Sequence, residues 1–383
     1  MVLNWAALGG AERRALALAR WLKEEEEANV EVLALTESEG RAVEAARALG
    51  LSWRTSVVHW NGGKAAKARD FARFVRALRQ GRPELVMPYC ALPNVLSGLS
   101  WRMAGASTCV WYQADVSPFS RARESTRRRA VRSTPVLVAN ADHVAEHLVS
   151  EWGAQRERIR VIRVGVEVPR PEADRVEWRS RLGIGTGDFV ANMAAHFRRS
   201  KDHATLLRAW RLVVDELARS DRRAVLLLAG DPYPMGDAAK ALAFDLGLER
   251  AVQFVGEVHD IAGLAGAIDI GILSSHREGF STSLIECMAA GISVAGTDIP
   301  GIREVVGAEG HAFLAPPGDA DALAQVVLRL ARDDALRATL GASCRERVRR
   351  EFTTERMVAS YSNVLAEALA RRCSPRARLR ARR

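Results

Sequence analysis

Two strand-to-helix junctions crowd into the segment Asp269 to Glu304, and this constrains the fold more than any other feature of the chain. The apolar run Asp269 to Leu273 predicts a buried parallel strand that stops at Ser274-Ser275. A polar loop with Glu278 and Gly279 follows, then a short helix from about Ser283 to Ala290, closed by Gly291 as its C-cap. A second strand, Ser293 to Gly296, leads to another glycine-containing turn and a helix start at Pro300-Gly301. In an open α/β sheet, ligands bind at the carboxyl edge where such junctions gather. The N–H groups of helix starts suit a diphosphate, and Glu278 and Glu286 supply acceptors for hydroxyl groups. Diphosphate together with hydroxyls is the chemistry of a nucleotide sugar.

The rest of the chain repeats the same grammar. A strand over Val2 to Leu8 is followed by Gly9-Gly10-Ala11-Glu12-Arg13, which opens a helix to about Glu26 with Leu16, Leu18, Ala19 and Leu22 on its apolar side. Further strands are expected at Val30 to Leu35, Leu85 to Met87, Thr108 to Tyr112 and Val136 to Ala139, with helices such as Lys64 to Arg79 between them. After Val166 the composition changes: Pro169, Pro171, Gly183, Gly185 and Gly187 mark a connector holding one short helix, Asp174 to Leu182. The run at 183–187 lacks the Lys-Ser/Thr ending of a phosphate loop and reads as a turn. A second alternating set begins at Phe189. It comprises strands Val190 to Ala194, Ala224 to Ala229 and Val252 to Val255, separated by helices His203 to Ala218 and Met235 to Leu246. Alternation of this kind predicts an α/β protein with parallel, doubly wound sheets, and 383 residues suffice for two such domains. The expected division is 1–168, 169–354, a helix over 355–370 and a basic, disordered tail over 371–383.

The segment Ser275 to Glu304 resembles the signature of the retaining family-4 glycosyltransferases. The matching residues are Ser275, Glu278-Gly279-Phe280, Glu286 eight residues after Glu278, Ala289 to Val294, and Gly301 to Glu304. Ser293 stands where the family usually has Pro, a departure that bears on strand entry more than on chemistry. The resemblance covers nearly the whole chain and is densest over 189–306. It implies the GT-B fold, two Rossmann-like doubly wound domains facing each other across a cleft, with the 355–370 helix crossing back to the first. It also implies a hexosyltransferase type of enzyme using a nucleoside-diphosphate sugar and a saccharide or lipid-linked acceptor, with no cofactor and no metal. Retention is thought to proceed by front-face attack, so no dedicated nucleophile is needed.

The resemblance assigns roles residue by residue. Glu286 would accept from both ribose hydroxyls; without a ligand, Ser283-x-x-Glu286 also fits a capping box. Glu278 would face the transferred sugar, with Ser275 beside it and the backbone of Gly279, Phe280, Ser281 and Thr282 turned to sugar and phosphates. Lys201 would stabilise charge on the departing diphosphate. The family's paired Arg falls on His196 here, while Arg198 fits a variant pattern with Phe-Arg before the Lys. Gly9 and Gly10 match a Gly-Gly-Ala-Glu loop whose backbone approaches the diphosphate. Gly230-Asp231 resembles a turn beside the nucleobase, and Glu304 has either a site role or a structural one. Many members carry a His after the strand at 109–112. This chain has Gln113-Ala114-Asp115 there, so Asp115 takes over the polar role, or the acceptor differs, or the protein binds without transfer.

Other features weigh less. His143-Val144-Ala145-Glu146-His147 spells an inverted zinc-peptidase motif, but an amphipathic helix produces it as readily. Asp319-Ala320-Asp321 follows Pro316-Pro317-Gly318 and reads as an N-cap rather than a metal motif. Five cysteines without C-x-x-C pairing fit a reduced, cytoplasmic setting. No stretch approaches the roughly 18 apolar residues of a spanning helix, and no secretory signal is evident. The net charge of +10 concentrates in Arg121 to Arg132 and Arg371 to Arg383. Those stretches are either solvated surface or a patch for an anionic membrane leaflet, worth about 1 kcal/mol per basic residue, which would place the protein peripherally on the inner face. Without an aromatic platform, zinc finger or basic zipper, nucleic acid is not the expected partner.

Overall fold

The computed structural model describes residues 1–4, 10–36, 40–89, 91–116, 122–167 and 171–370. Contacts divide the chain into two compact units, Met1–Val164 with Glu355–Arg383, and Gly165–Thr354. The expected basic tail and residues 5–9, including Gly9, lie outside the described residues.

The first unit is built on strands β1 (Val2–Leu3), β2 (Glu31–Ala34), β3 (Ser52–Thr55), β4 (Leu85–Val86), β5 (Thr108–Gln113), β6 (Val136–Ala139) and β7 (Ile159–Val161). Every pairing is parallel. The two ladders meet where Val2 N–H donates to Met87 O (2.8 Å) and Tyr89 N–H to Val2 O (2.9 Å), giving the order β3–β2–β1–β4–β5–β6–β7. Alternation along each strand splits its side chains between two cores. Val2, Leu33 and Cys109 face a cluster with Phe74, Leu78 and Leu96. Leu3, Val32 and Val110 face the other, which the helix Thr354–Ala370 closes with Met357, Val358, Tyr361, Val364 and Leu365. Sheets covered on both faces need apolar residues at nearly every position, which is why these strands read as short unbroken runs.

The strand β7 was not among those expected; it is an edge strand whose last partner, Ala139, is the end of β6. Beyond Val161 the chain has no ladder to join, and Val166 makes only an isolated bridge to Thr353.

The second unit carries β8 (Phe189–Ala194), β9 (Ala224–Ala229), β10 (Val252–Gly256), β11 (Ile270–Leu273), β12 (Ser293–Thr297) and β13 (Leu314–Ala315), all parallel, in the order β10–β9–β8–β11–β12–β13. The chain winds outward from β8 to β10, returns to β11 on the other side of β8, and winds outward again. The strand order therefore reverses between β8 and β11, and this switch point is where an open α/β sheet leaves a crevice at its carboxyl edge. The helix His203–Ala218 covers β8 and β9 with Leu206, Leu207, Trp210, Val213 and Leu217, and Asp202 caps its start by accepting from Thr205 N–H at 3.2 Å. Among the described residues no helix is long and apolar enough to cross a membrane.

Candidate active site

The switch point places two loops side by side, one leaving β8 and one leaving β11. The first carries Arg198 and Lys201, the second Ser274, Ser275 and Glu278. Lys201 Nζ lies 2.5 Å from Glu278 Oε1, and the Ser275 hydroxyl donates to the same oxygen at 2.5 Å. The pair is largely withdrawn from solvent, with side chains 23% and 10% exposed. A cation and a carboxylate held this way are stronger partners than a surface pair, and removing one leaves the other poorly solvated. Ser275 is itself fixed, since Thr297 donates from its hydroxyl to Ser275 O at 2.5 Å.

Two glycines bring further loops against this core. Gly230, at φ 142°, follows β9 so closely that a Cβ would stand 2.3 Å from Ala195 O, just after β8. Gly301, near the start of the helix Pro300–Gly310, would place a Cβ 2.5 Å from Glu278 O. No side chain fits at either position without moving the backbone that carries the site. Asp231 accepts from Phe197 N–H through its carbonyl (3.0 Å) and from Tyr233 N–H through its carboxylate (3.0 Å), which ties the β8 and β9 exits together.

The helix after Glu278 is Thr282–Ala289, and its N-cap is Ser281, whose hydroxyl accepts from Leu284 N–H at 3.4 Å. Ser283 therefore lies inside the helix and Glu286 is its fifth residue, too far along to close a capping box. Glu286 is half-buried on this helix. The first N–H groups of the helix have no acceptor within it, and its positive end faces the loop that holds Glu278. The ring of Phe280 is buried edge-on against Phe352 at 5.3 Å, so what Gly279 and Phe280 offer a ligand is backbone.

Two histidines near Lys201, His203 and His196, are held toward the neutral form. Burial lowers His203 to about 4, with the Lys201 charge adding to the effect and Asp202 opposing it; its ring stacks on Phe197 at 4.1 Å. His196 is lowered as well, by burial and then by Arg198 and Lys201, against Asp231 and Glu257. An imidazole lowered this way is no cation for a diphosphate at neutral pH. Of the two expected partners for Lys201, only Arg198, which is exposed, carries a charge there. Glu304 lies on the helix Pro300–Gly310, where its carbonyl accepts from Arg347 at 3.0 Å.

Thus Lys201, Ser275, Glu278, Gly230, Asp231, Gly279 to Thr282, Glu286 and Arg198 all lie at or beside the carboxyl edge of the second sheet. Gly10 and Asp115 belong to the first unit, where Gly10 begins the helix Gly10–Glu24 and exposed Asp115 follows β5. In the stretch Gln113-Ala114-Asp115, Gln113 is buried. Its amide donates to Asp115 O (2.8 Å) and its carbonyl accepts from Trp111 (3.1 Å) and Asn94 (3.2 Å), and Asp115 is the exposed, charged residue of the three. His143, Glu146 and His147 lie on the helix Asp142–Ser150, where Glu146 pairs with Arg156 at 3.0 Å and His147 packs edge-on against Trp152 at 5.5 Å. Asp319 caps a helix, accepting from Ala322 N–H at 2.9 Å. Reading the sequence missed Ser274, Asp202 and His276. The signal for Asp202 was present as the N-cap pattern Asp202-x-x-Thr205.

A doubly wound unit with a cation, a carboxylate and a helix start at its switch point is an α/β protein with a candidate ligand site at the carboxyl edge of its sheet. Comparison with known proteins narrows the class. Residues 174–347 match the family described as glycosyl transferases group 1, and residues 8–170 match Glycosyltransferase Family 4. The chain belongs to this glycosyltransferase family. It is 29% identical over 196 residues to N-acetyl-alpha-D-glucosaminyl L-malate synthase of Bacillus anthracis, covering 51% of this chain and 50% of that protein. It is 28% identical over 261 residues to the D-inositol 3-phosphate glycosyltransferase of Saccharomonospora viridis, covering 66% and 60%. These matches thus span between half and three-fifths of the relatives' own length. Among solved structures, Anabaena Alr3699/HepE in complex with UDP-glucose superposes with a TM-score of 0.81 over 96% of this chain and 99% of that one, at 20% identity. WaaG, a glycosyltransferase involved in lipopolysaccharide biosynthesis, gives 0.67 over 91% and 94%, at 17% identity. The fold is GT-B.

Proposed function

We propose that the protein is a retaining glycosyltransferase that moves a sugar from a nucleoside-diphosphate sugar to a hydroxyl acceptor. The observation that carries the reading is the Lys201–Glu278–Ser275 constellation at the switch point. It supplies a cation where a diphosphate leaves and a carboxylate, already oriented, for the sugar's hydroxyls. A helix start stands beside it for the phosphates, and Glu286 one and a half turns along that helix is assigned to the ribose. Relatives whose names carry L-malate and inositol 3-phosphate support glycosyl transfer to a hydroxyl, and a neighbour holding UDP-glucose supports the class of donor.

In this mechanism the bond between the anomeric carbon and the diphosphate oxygen lengthens first, and charge builds on the diphosphate. Lys201 and the helix amides are in place before it appears, so little reorganisation is needed as the charge forms. The acceptor hydroxyl attacks from the face the diphosphate is leaving, and its proton passes to a phosphate oxygen. No protein nucleophile enters and the anomeric configuration is kept. The cation is assigned to Lys201 rather than to a metal. The acceptor is assigned to envelope or extracellular polysaccharide or glycolipid synthesis on the strength of the basic charge, which also suits a peripheral site at the inner membrane face.

The deciding experiment measures transfer and donor hydrolysis with UDP-, GDP- and ADP-sugars, with and without chelator, and the anomeric configuration of the product by NMR. Turnover that survives chelator and retains configuration supports the proposal. Nucleotide binding without turnover would make the protein a binding member of the fold, consistent with Asp115 standing where many members have His. Inverted product would remove the mechanism.

A further inference from the structure

We infer that Ser274 and His276 are positioning residues that hold the Lys201 turn in its working geometry. Asp202, directly after Lys201, sits at φ 49° and ψ 50°, in the left-handed region that residues with a side chain seldom occupy. Such a backbone persists only where its surroundings impose it, and it marks a place where geometry is selected over comfort.

The surroundings that impose it come from the exit of β11. The Ser274 hydroxyl, fully buried, points its one proton at the carbonyls of Asp202 (3.0 Å) and Lys201 (3.2 Å), with the Met193 sulfur 3.6 Å away. His276 N–H donates to Ser200 O at 2.8 Å, and His276 Nε2 lies 3.2 Å from Asp202 Oδ2. The other carboxylate oxygen of Asp202 caps the helix His203–Ala218 through Thr205 N–H. Three consecutive residues, Ser200, Lys201 and Asp202, are thus fastened to two residues of the neighbouring loop. Glu278, the partner of Lys201, lies on that same loop. The clamp fixes cation and carboxylate as one rigid piece, whereas a bare loop after β8 would leave the long Lys201 side chain to choose among many rotamers. The catalytic consequence rests on the nucleotide-sugar reading above; the positioning does not.

The test reads Lys201 directly. Acylation by acetic anhydride, followed residue by residue with mass spectrometry, reports how well the amine is held against Glu278. Ser274→Ala should acylate about fivefold faster at Lys201, the worth of one net hydrogen bond, with other lysines unchanged. Adding Asp202→Gly should return the rate toward wild type, because glycine takes the left-handed turn without restraint and is nearly as good an N-cap as Asp. Half-exposed His276→Ala, which leaves the core intact, should give a smaller rise. In a parallel arm, kcat for hydrolysis of the sugar nucleotide that binds should fall in Ser274→Ala with little change in KM, and recover in the double variant. Unchanged Lys201 reactivity in both Ser274→Ala and His276→Ala would overturn the clamp. A wild type that turns over no sugar nucleotide would overturn the function proposed above while leaving the labelling result to decide the clamp.

Discussion

Gly301 stands against Glu278 so tightly that a Cβ at residue 301 would lie 2.5 Å from the Glu278 carbonyl oxygen. One helix start is therefore the floor of the loop that carries the acidic residue of the site. Gly301→Ala should lose about 1–3 kcal/mol by overpacking. Because the atom in the way is backbone, the strain should be relieved by moving Glu278. The variant should lose nucleotide-sugar turnover more severely than its melting temperature suggests, measured by calorimetry and steady-state kinetics on the same preparation.

The Lys201–Glu278 pair makes a second prediction. Lys201→Met leaves a carboxylate that is only 10% exposed without its cation. The loss should be about 1–3 kcal/mol, below the 3–5 kcal/mol seen when fully buried pairs are broken, because Lys201 is partly solvated. Adding Glu278→Gln should restore much of the stability but none of the activity. A double-mutant cycle on unfolding free energy checks this, and independent, additive losses would show the two side chains are not coupled.

Helix Thr282–Ala289 allows its cap and its ligand to be told apart. Ser281→Ala should cost about 1 kcal/mol of stability, since its hydroxyl is the cap. Glu286→Ala should cost less than that. It should nevertheless weaken nucleoside diphosphate binding by roughly tenfold or more, the loss of a charge-assisted hydrogen bond to ribose at about 1.5–3 kcal/mol. Titration calorimetry with UDP, GDP and ADP measures the affinity and thermal melting the stability. The reverse ranking of stability losses would return Glu286 to a structural role.

Much of the second unit was readable because its elements are long, apolar and punctuated. The helix His203–Ala218 and the strand Ala224–Ala229 fall on the expected residues. The first unit was less legible at its edge. Strand Ser52–Thr55 pairs on one side only and is half exposed, so its pattern Ser-Trp-Arg-Thr carries no run of buried residues to announce it. The helix Glu124–Ser133 hides its apolar side in two residues, Ala130 and Val131, among arginines. At the site, the ordered motif pointed to Glu278 and Glu286. It could not show that Ser281 rather than Ser283 caps the helix, since both are serines and a shift of two residues lies within the reach of any propensity argument. Ser274 and His276 escaped because their partners, the carbonyls of Ser200 to Asp202, are distant in sequence.

Acid should loosen this protein through His203. Burial holds that imidazole at about 4, against an ordinary value of 6.5, with the Lys201 charge pushing the same way. The unfolded chain therefore binds the proton more tightly than the folded one. Stability is fully present above about pH 6.5, falls as pH drops through the interval, and levels off below about pH 4, once both states are protonated. A shift of this size amounts to about 3–4 kcal/mol, and His196, lowered in the same direction, adds to it. His203→Phe keeps a ring to stack on Phe197, 4.1 Å from the present imidazole, and removes the titration. Its unfolding free energy should fall less between pH 6.5 and 4 than that of the wild type, as read from denaturant melts across that range. Equal slopes in the two proteins would mean that the His203 proton is not what the fold resists.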